Sequence, residues 1–256
     1  MSERDTYQAG VPCWVDVLVP DPAVAMRFYG DLLGWEFDGP GPGDYYEASL
    51  RGRGVAGVGA QAPDVPTAWN TYVCVASVED AARAAANAGG RVLVEPFDAL
   101  PAGRVAVFAD PSGAAVGVWE PHDRQGAQLV NEPSAWAMSV LNTPEPDACA
   151  AFYREVFGWE SETFGPMSLC RLPGCVTGEP GQPVPRDVVA VIAPADAEPH
   201  WSVGFWVGDA DAVADKAPAA GGSLIAAPFE NGGMRHAVVA DPAGAVFQVT
   251  TAPGPH

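Results

Sequence analysis

The sequence predicts an α+β fold of two tandem halves, each built from two strand-helix-three-strand (βαβββ) units. Three observations carry that prediction. The stretch Pro22 to Glu36, with Phe28 and Tyr29 inside and Gly34 and Trp35 near its end, recurs as Pro146 to Glu160 with Phe152, Tyr153, Gly158 and Trp159. The turn Asp110, Pro111, Ser112, Gly113 returns as Asp241, Pro242, Ala243, Gly244. Two distant blocks repeated in the same order mark a duplication. Within each half the pattern restarts once more, at Trp69 and at Trp201.

The elements follow in order. Val15 to Val19 is an apolar-rich strand, and Pro20, Asp21 and Pro22 form a helix-start signal. Ala25, Phe28, Tyr29, Leu32 and Leu33 then keep helical spacing until Gly34. Trp35 to Phe37, Tyr45 to Leu50 and Val55 to Ala60 read as short strands broken by Gly and Pro. The second unit has a strand from Asn70 to Ala76 and an alanine-rich helix from Val78 to Asn87, stopped by Gly89 and Gly90. Its last strands are Arg91 to Glu95, Val105 to Ala109 and Ala114 to Glu120. The other half repeats this with a strand from Ala137 to Leu141, a helix from Pro146 to Phe157 and three weaker strands, Val188 to Ile192 among them. After the restart come strand Ser202 to Val207, helix Asp209 to Ala219, and strands Ser223 to Ala226, His236 to Ala240 and Ala245 to Thr250.

The expected domains are 8–121 and 134–252, joined by a linker, 122–133. Each half, at about 125 residues, is long enough for a core of its own. The proline- and glycine-rich loop 173–185 has no counterpart in the first half and reads as a lid or as a surface insertion. A net charge of −19 and a pI near 4.3 argue against nucleic acid or an anionic membrane as partner. No run nears the roughly 20 apolar residues of a membrane span, and the polar start lacks a signal-peptide core, so the expected location is cytoplasmic. The five cysteines form no paired framework. Cys170 and Cys175 are spaced like half a zinc site with no second half.

These units resemble the vicinal oxygen chelate superfamily, the glyoxalase/bleomycin-resistance/dioxygenase fold, in its two-domain glyoxalase-like subgroup. The resemblance rests on the Phe-Tyr helix ending in Gly-Trp, the Gly-Gly helix stop and the Asp-Pro-x-Gly turn, each occurring twice. It implies that paired units curl around an open cavity. It also implies a divalent metal there in catalytic members, held by a His or Gln of an opening strand and a Glu after the Asp-Pro-x-Gly turn. This chain departs at those places. Gly117 and Gln248 stand where the Glu would be, Trp14 and Met138 occupy the opening strands, and Asn70 and Ser202 the restart strands. Trp, Met and Gly do not ligate a hard cation, and Asn, Ser and Gln offer only neutral oxygens. The expectation is therefore no metal and no cofactor.

Strand alternation puts Trp14, Asp16 and Leu18 on one face and Val15, Val17 and Val19 on the core face. Asp16 beside an indole reads as a desolvated acid-base group, or as a salt-bridge partner of Arg51, Arg53 or Arg104. His236, on a strand face with Val238 and Ala240, reads as a general base or as a structural histidine. His200 reads as a strand-edge residue, His122 and His256 as solvated, and Asp110 and Asp241 as turn formers. Trp14, Asn70, Tyr72, Met138, Ser202 and Gln248 are the expected ligand-facing positions. Together these point to metal-independent binding of a small apolar or aromatic molecule of natural-product or antibiotic type. The alternative is a lyase, isomerase or cyclase that uses Asp16 or His236 without metal, with a metal-dependent glyoxalase or dioxygenase less favoured.

Overall fold

The computed structural model describes residues 3–62, 65–176 and 185–251. His256 and most of the 173–185 loop lie outside the described residues. The first unit comprises β1 (Pro12–Val19), α1 (Pro22–Leu33), β2 (Glu36–Gly41), β3 (Tyr45–Leu50) and β4 (Arg53–Ala60). The second comprises β5 (Ala68–Cys74), α2 (Val78–Asn87), β6 (Arg91–Ala99), β7 (Gly103–Ala109) and β8 (Ala115–Pro121). The third holds β9 (Trp136–Thr143), α3 (Pro146–Phe157), β10 (Glu160–Phe164), β11 (Met167–Arg171) and β12 (Val188–Pro194). The fourth holds β13 (His200–Val207), α4 (Ala210–Ala219), β14 (Ser223–Asn231), β15 (Met234–Ala240) and β16 (Val246–Thr251).

Each half forms one eight-stranded mixed sheet, in the orders β2-β3-β4-β1-β5-β8-β7-β6 and β10-β11-β12-β9-β13-β16-β15-β14. The two units of a half join through an antiparallel pair at the sheet centre, β1 with β5 and β9 with β13. Local chemistry sets the helix ends. Asp21 caps α1 by accepting from the Ala23 and Val24 amides, and Gly34 closes it in the left-handed region at φ 74°. Two edge strands run past their predicted ends, β6 to Ala99 and β14 to Asn231. Pro96 and Pro228 each fall at a register shift of an edge strand, where a missing N–H breaks no ladder bond.

One expectation fails. The halves do not hold separate cores. One buried cluster joins β1, α1, Trp35 and Trp69 of the first half to α4 and to Val203, Phe205, Phe247 and Val249 of the second. A second joins α2 and Phe108 to α3, Trp159 and Trp201. The repeated motifs are what meet there. The Tyr29 hydroxyl donates to Asp241 Oδ2 at 3.0 Å and accepts from Trp69 Nε1 at 3.1 Å. The Tyr153 hydroxyl donates to Asp110 Oδ2 at 2.9 Å and accepts from Trp201 Nε1 at 3.0 Å. A Cβ at Gly222 would lie 2.6 Å from the Phe28 ring, and one at Gly90 would lie 2.7 Å from Phe152. The glycine after each helix stop thus admits the phenylalanine of the other half. Asp110 and Asp241 do form turns, through Oδ1, while Oδ2 reaches across the seam. All five cysteines are free and buried. No described helix is long and apolar enough to cross a membrane.

Candidate functional site

Each helix packs its buried side into one of the two shared cores, and each sheet has a second face that carries no helix. In the first half that helix-free face is filled by its own side chains. Asp16 is 4% exposed and accepts three hydrogen bonds, from Asn70 Nδ2 at 2.9 Å, Tyr45 Oη at 3.1 Å and Tyr72 Oη at 3.3 Å. Tyr45 Oη in turn accepts from Trp14 Nε1 at 2.8 Å. Glycines make the room. A Cβ at Gly57 would lie 1.8 Å from Tyr45 Oη, and one at Gly117 would lie 2.2 Å from the Tyr72 ring. Arg124, from the linker, straps the group. Its guanidinium sits 5.2 Å from the Trp14 ring centroid and pairs with Glu47, and its carbonyl accepts from Trp119 Nε1.

Burial pushes the Asp16 carboxyl up from 3.8 to about 6, against the opposing effect of its three hydrogen-bond donors. Burial and the Asp16 charge raise the Tyr45 and Tyr72 phenols. The salt-bridge alternative for Asp16 does not hold. Arg51 pairs with Glu132, Arg53 with Glu3, and Arg104 with Glu79 and Asp98.

The second half differs at the same positions. Met138, Val140 and Asn142 of β9 and Ser202, Gly204 and Trp206 of β13 are half-buried where Trp14 and Asp16 are buried. Met138, Val140 and Met167 pack on Leu169, Val188 and Val191 to form a small apolar floor. Polar groups rim it. Asn142 Nδ2 donates to Ser202 Oγ at 3.0 Å, and Gln248 Nε2 lies 3.0 Å from His236 Nδ1. His236 is buried, stacked on Phe229, and bonded at both ring nitrogens. Nε2 meets the Asn231 carbonyl, which only accepts, so Nε2 carries the proton and Nδ1 accepts from Gln248 or Thr250. That geometry matches the structural reading of His236. His200 is exposed, with Nδ1 against the Glu198 carbonyl.

The expected positions therefore divide into two groups. Trp14, Asp16, Asn70 and Tyr72 come together in the filled face, and Met138, Ser202 and Gln248 line the half-exposed one. Tyr45, Glu47 and Arg124 were missed as members of the first group. The signal for them lay in Gly57 and Gly117, since glycine inside a strand marks a close approach. Neither face offers a donor set that suits a divalent cation. On the first face the Asp16 and Glu47 carboxylates are taken up by Asn70, Tyr45, Tyr72 and Arg124, and on the second His236 is bonded at both ring nitrogens while Met138, Ser202 and Gln248 supply a thioether and neutral oxygens. Among the described residues no three His, Cys, Asp or Glu side chains are grouped to hold a metal ion.

A sequence profile described as "Glyoxalase-like domain" matches residues 13–118 and again 124–250. "Putative glyoxylase CFP32" of Mycobacterium tuberculosis is 37% identical over 272 residues, covering 97% of each chain. "Anthracycline biosynthesis protein DauV" of Streptomyces sp. strain C5 is 31% identical over 261 residues, covering 95% of this chain and 94% of that one. The Mn(II)-bound glyoxalase from Novosphingobium aromaticivorans superposes with a TM-score of 0.67 at 18% identity, over 96% of this chain and 83% of that one. The 2,3-dioxygenase LapB from Pseudomonas sp. KL28 gives 0.65 at 13% identity, over 98% and 96%. At such identities these two structures speak to the fold alone. Matched in both halves, the chain belongs to the glyoxalase-like domain family, with the tandem fold of the vicinal oxygen chelate superfamily.

Proposed function

We propose that the protein binds a small planar aromatic molecule on the helix-free face of its second half, without a divalent metal. The observation that carries this reading is the inequality of the two faces. Trp14 and Asp16 are buried on the first, with Tyr45 and Tyr72 half-buried around them, whereas their counterparts Met138 and Val140, with Trp206, are half-buried over an apolar floor on the second. An apolar floor with a few polar groups at its rim is the usual make-up of a small-molecule site. The relative named for anthracycline biosynthesis adds support, since anthracyclines are fused planar ring systems. The test is tryptophan quenching of chelator-treated protein by an anthraquinone. Saturable quenching, unchanged by added Mn(II), is expected. Flat titrations across a panel of planar aromatics would refute the reading.

A second reading, a metal-independent lyase, isomerase or cyclase, draws on Asp16, whose carboxyl at about 6 is poised for proton transfer near neutrality. Against it stand the 4% exposure and the three donors already holding that carboxylate. Turnover abolished by Asp16→Asn with ligand affinity intact would establish it over binding alone.

A further inference from the structure

The two sheets carry different residues at one matched position of their helix-free faces. In the first half Tyr72 lies between Trp14 on β1 and Gly117 on β8. In the second half Gly204 lies between Met138 on β9 and Gln248 on β16. The Tyr72 ring fills its position so closely that a Cβ at Gly117 would collide with it. A Cβ at Gly204 would meet, beyond its chain neighbours, only the Met138 carbonyl oxygen at 3.4 Å. Among the described residues the second face therefore keeps a notch, flanked by Met138 and Gln248, where the first face holds a phenol of its own.

The hydrogen bonds around this notch are one-sided. His236 gives its Nε2 proton to the Asn231 carbonyl, so its Nδ1 attracts an N–H. That turns the Gln248 amide nitrogen inward, 3.0 Å from His236 Nδ1 and 3.2 Å from Thr250 Oγ1. Gln248 Oε1 is left without a hydrogen-bond partner among the described residues, and it is not sealed from solvent. Asn142 repeats the arrangement farther along β9. Its Nδ2 donates to Ser202 Oγ at 3.0 Å and to the Val140 carbonyl at 3.3 Å, and its Oδ1 stays open. The Ser202 hydroxyl is spent on the same Val140 carbonyl, at 3.2 Å. The face thus offers oxygens that accept, while its donors are committed to the protein. We infer that the second face selects hydroxyarenes, with the ligand ring in the notch over Gly204 and its phenolic O–H donating to Gln248 Oε1. Tyr72 is the internal precedent, a phenol at the matched position whose hydroxyl donates to Asp16 Oδ1 at 3.3 Å. This deepens the binding reading above and rests on it.

The experiment is equilibrium dialysis of the full chain at pH 7 against 2-naphthol and against 2-methoxynaphthalene, the same ring with an oxygen that only accepts. The naphthol should bind about fivefold more tightly, the worth of one neutral hydrogen bond. Gln248→Met keeps the length of the side chain without its acceptor and should shrink that preference toward one, whereas Gln248→Glu should retain it. Gly204→Val fills the notch and should weaken both probes about tenfold. Unchanged circular dichroism shows that each variant folds, and if Gln248→Met does not, the wild-type preference and Gly204→Val carry the test. Equal binding of both probes to the wild type, a preference that survives Gln248→Met, or undiminished binding to Gly204→Val would overturn the hydroxyarene seat while leaving aromatic binding intact. Binding of neither probe would remove both.

Discussion

Asp16→Asn separates the cost of a buried charge from everything else the acidic chain does with pH. The Asp16 carboxyl stands near 6 in the folded protein against an ordinary 3.8, so the folded state holds its proton more tightly. The stability this supplies is complete below pH 3.8 and is lost as pH rises through 6. At roughly 1.36 kcal/mol per pH unit the whole loss is about 3 kcal/mol. Near the pI of 4.3 the net charge approaches zero, which favours association, so the useful window is pH 5 to 8. About half the loss has occurred by pH 5, and about 1–2 kcal/mol remains to be lost by pH 8. The introduced amide has no proton to titrate. Its oxygen still accepts from Asn70, and its NH2 finds the Tyr45 oxygen once that hydroxyl turns. Urea unfolding of both proteins at both pH values, followed by tryptophan fluorescence, gives the difference directly, and all other titrating groups cancel. The variant should gain about 1–2 kcal/mol on the wild type between pH 5 and pH 8. A difference that does not change with pH would show that Asp16 is not desolvated as described.

Two further outcomes follow from the packing. Tyr29→Phe or Tyr153→Phe strands an aspartate oxygen and an indole N–H at the seam, and each should cost about 2–4 kcal/mol in urea unfolding. Gly117→Ala drives a methyl into the Tyr72 ring and should lose about 1–3 kcal/mol, read as a lowered Tm. Gly204→Ala on the second face, where the nearest atom is a carbonyl oxygen 3.4 Å away, should cost less and serves as the control.

Helix positions were legible because their ends carry strong chemistry. α2 and α3 match their predicted spans, bounded by Ser77 and Gly89 in one case and by Pro146 and Gly158 in the other. The edge strands were less legible, since Pro96 and Pro228 break a local pattern that only sheet position makes harmless. The motifs themselves were visible, but their partner was not. Nothing in a repeat tells whether Tyr29 meets the Asp-Pro-x-Gly turn of its own half or of the other. The site was half legible. Alternation placed Asp16 beside Trp14 on the outward face. It did not show that Tyr45 and Tyr72 would close over the carboxylate, because that depends on glycines across two strand pairings, β3 with β4 and β5 with β8.

The crossed cores bear on why a filled half persists. If each half held its own core, the first half would be dispensable to the shape of the second. It is not dispensable here. α1, Phe28, Tyr29 and Trp35 complete the hydrophobic cluster under β13 and β16, the strands that carry Trp206 and Gln248. The second face is therefore held in shape by side chains 165 positions or more away in sequence, counted from Trp35 to His200 at the start of β13. The Asp16 group then acts as a tie within the first sheet, fastening β1 to β3 through Tyr45 and to β5 through Asn70 and Tyr72. The desolvation of that carboxylate offsets much of what its three hydrogen bonds supply, so the tie acts through geometry more than through net stability.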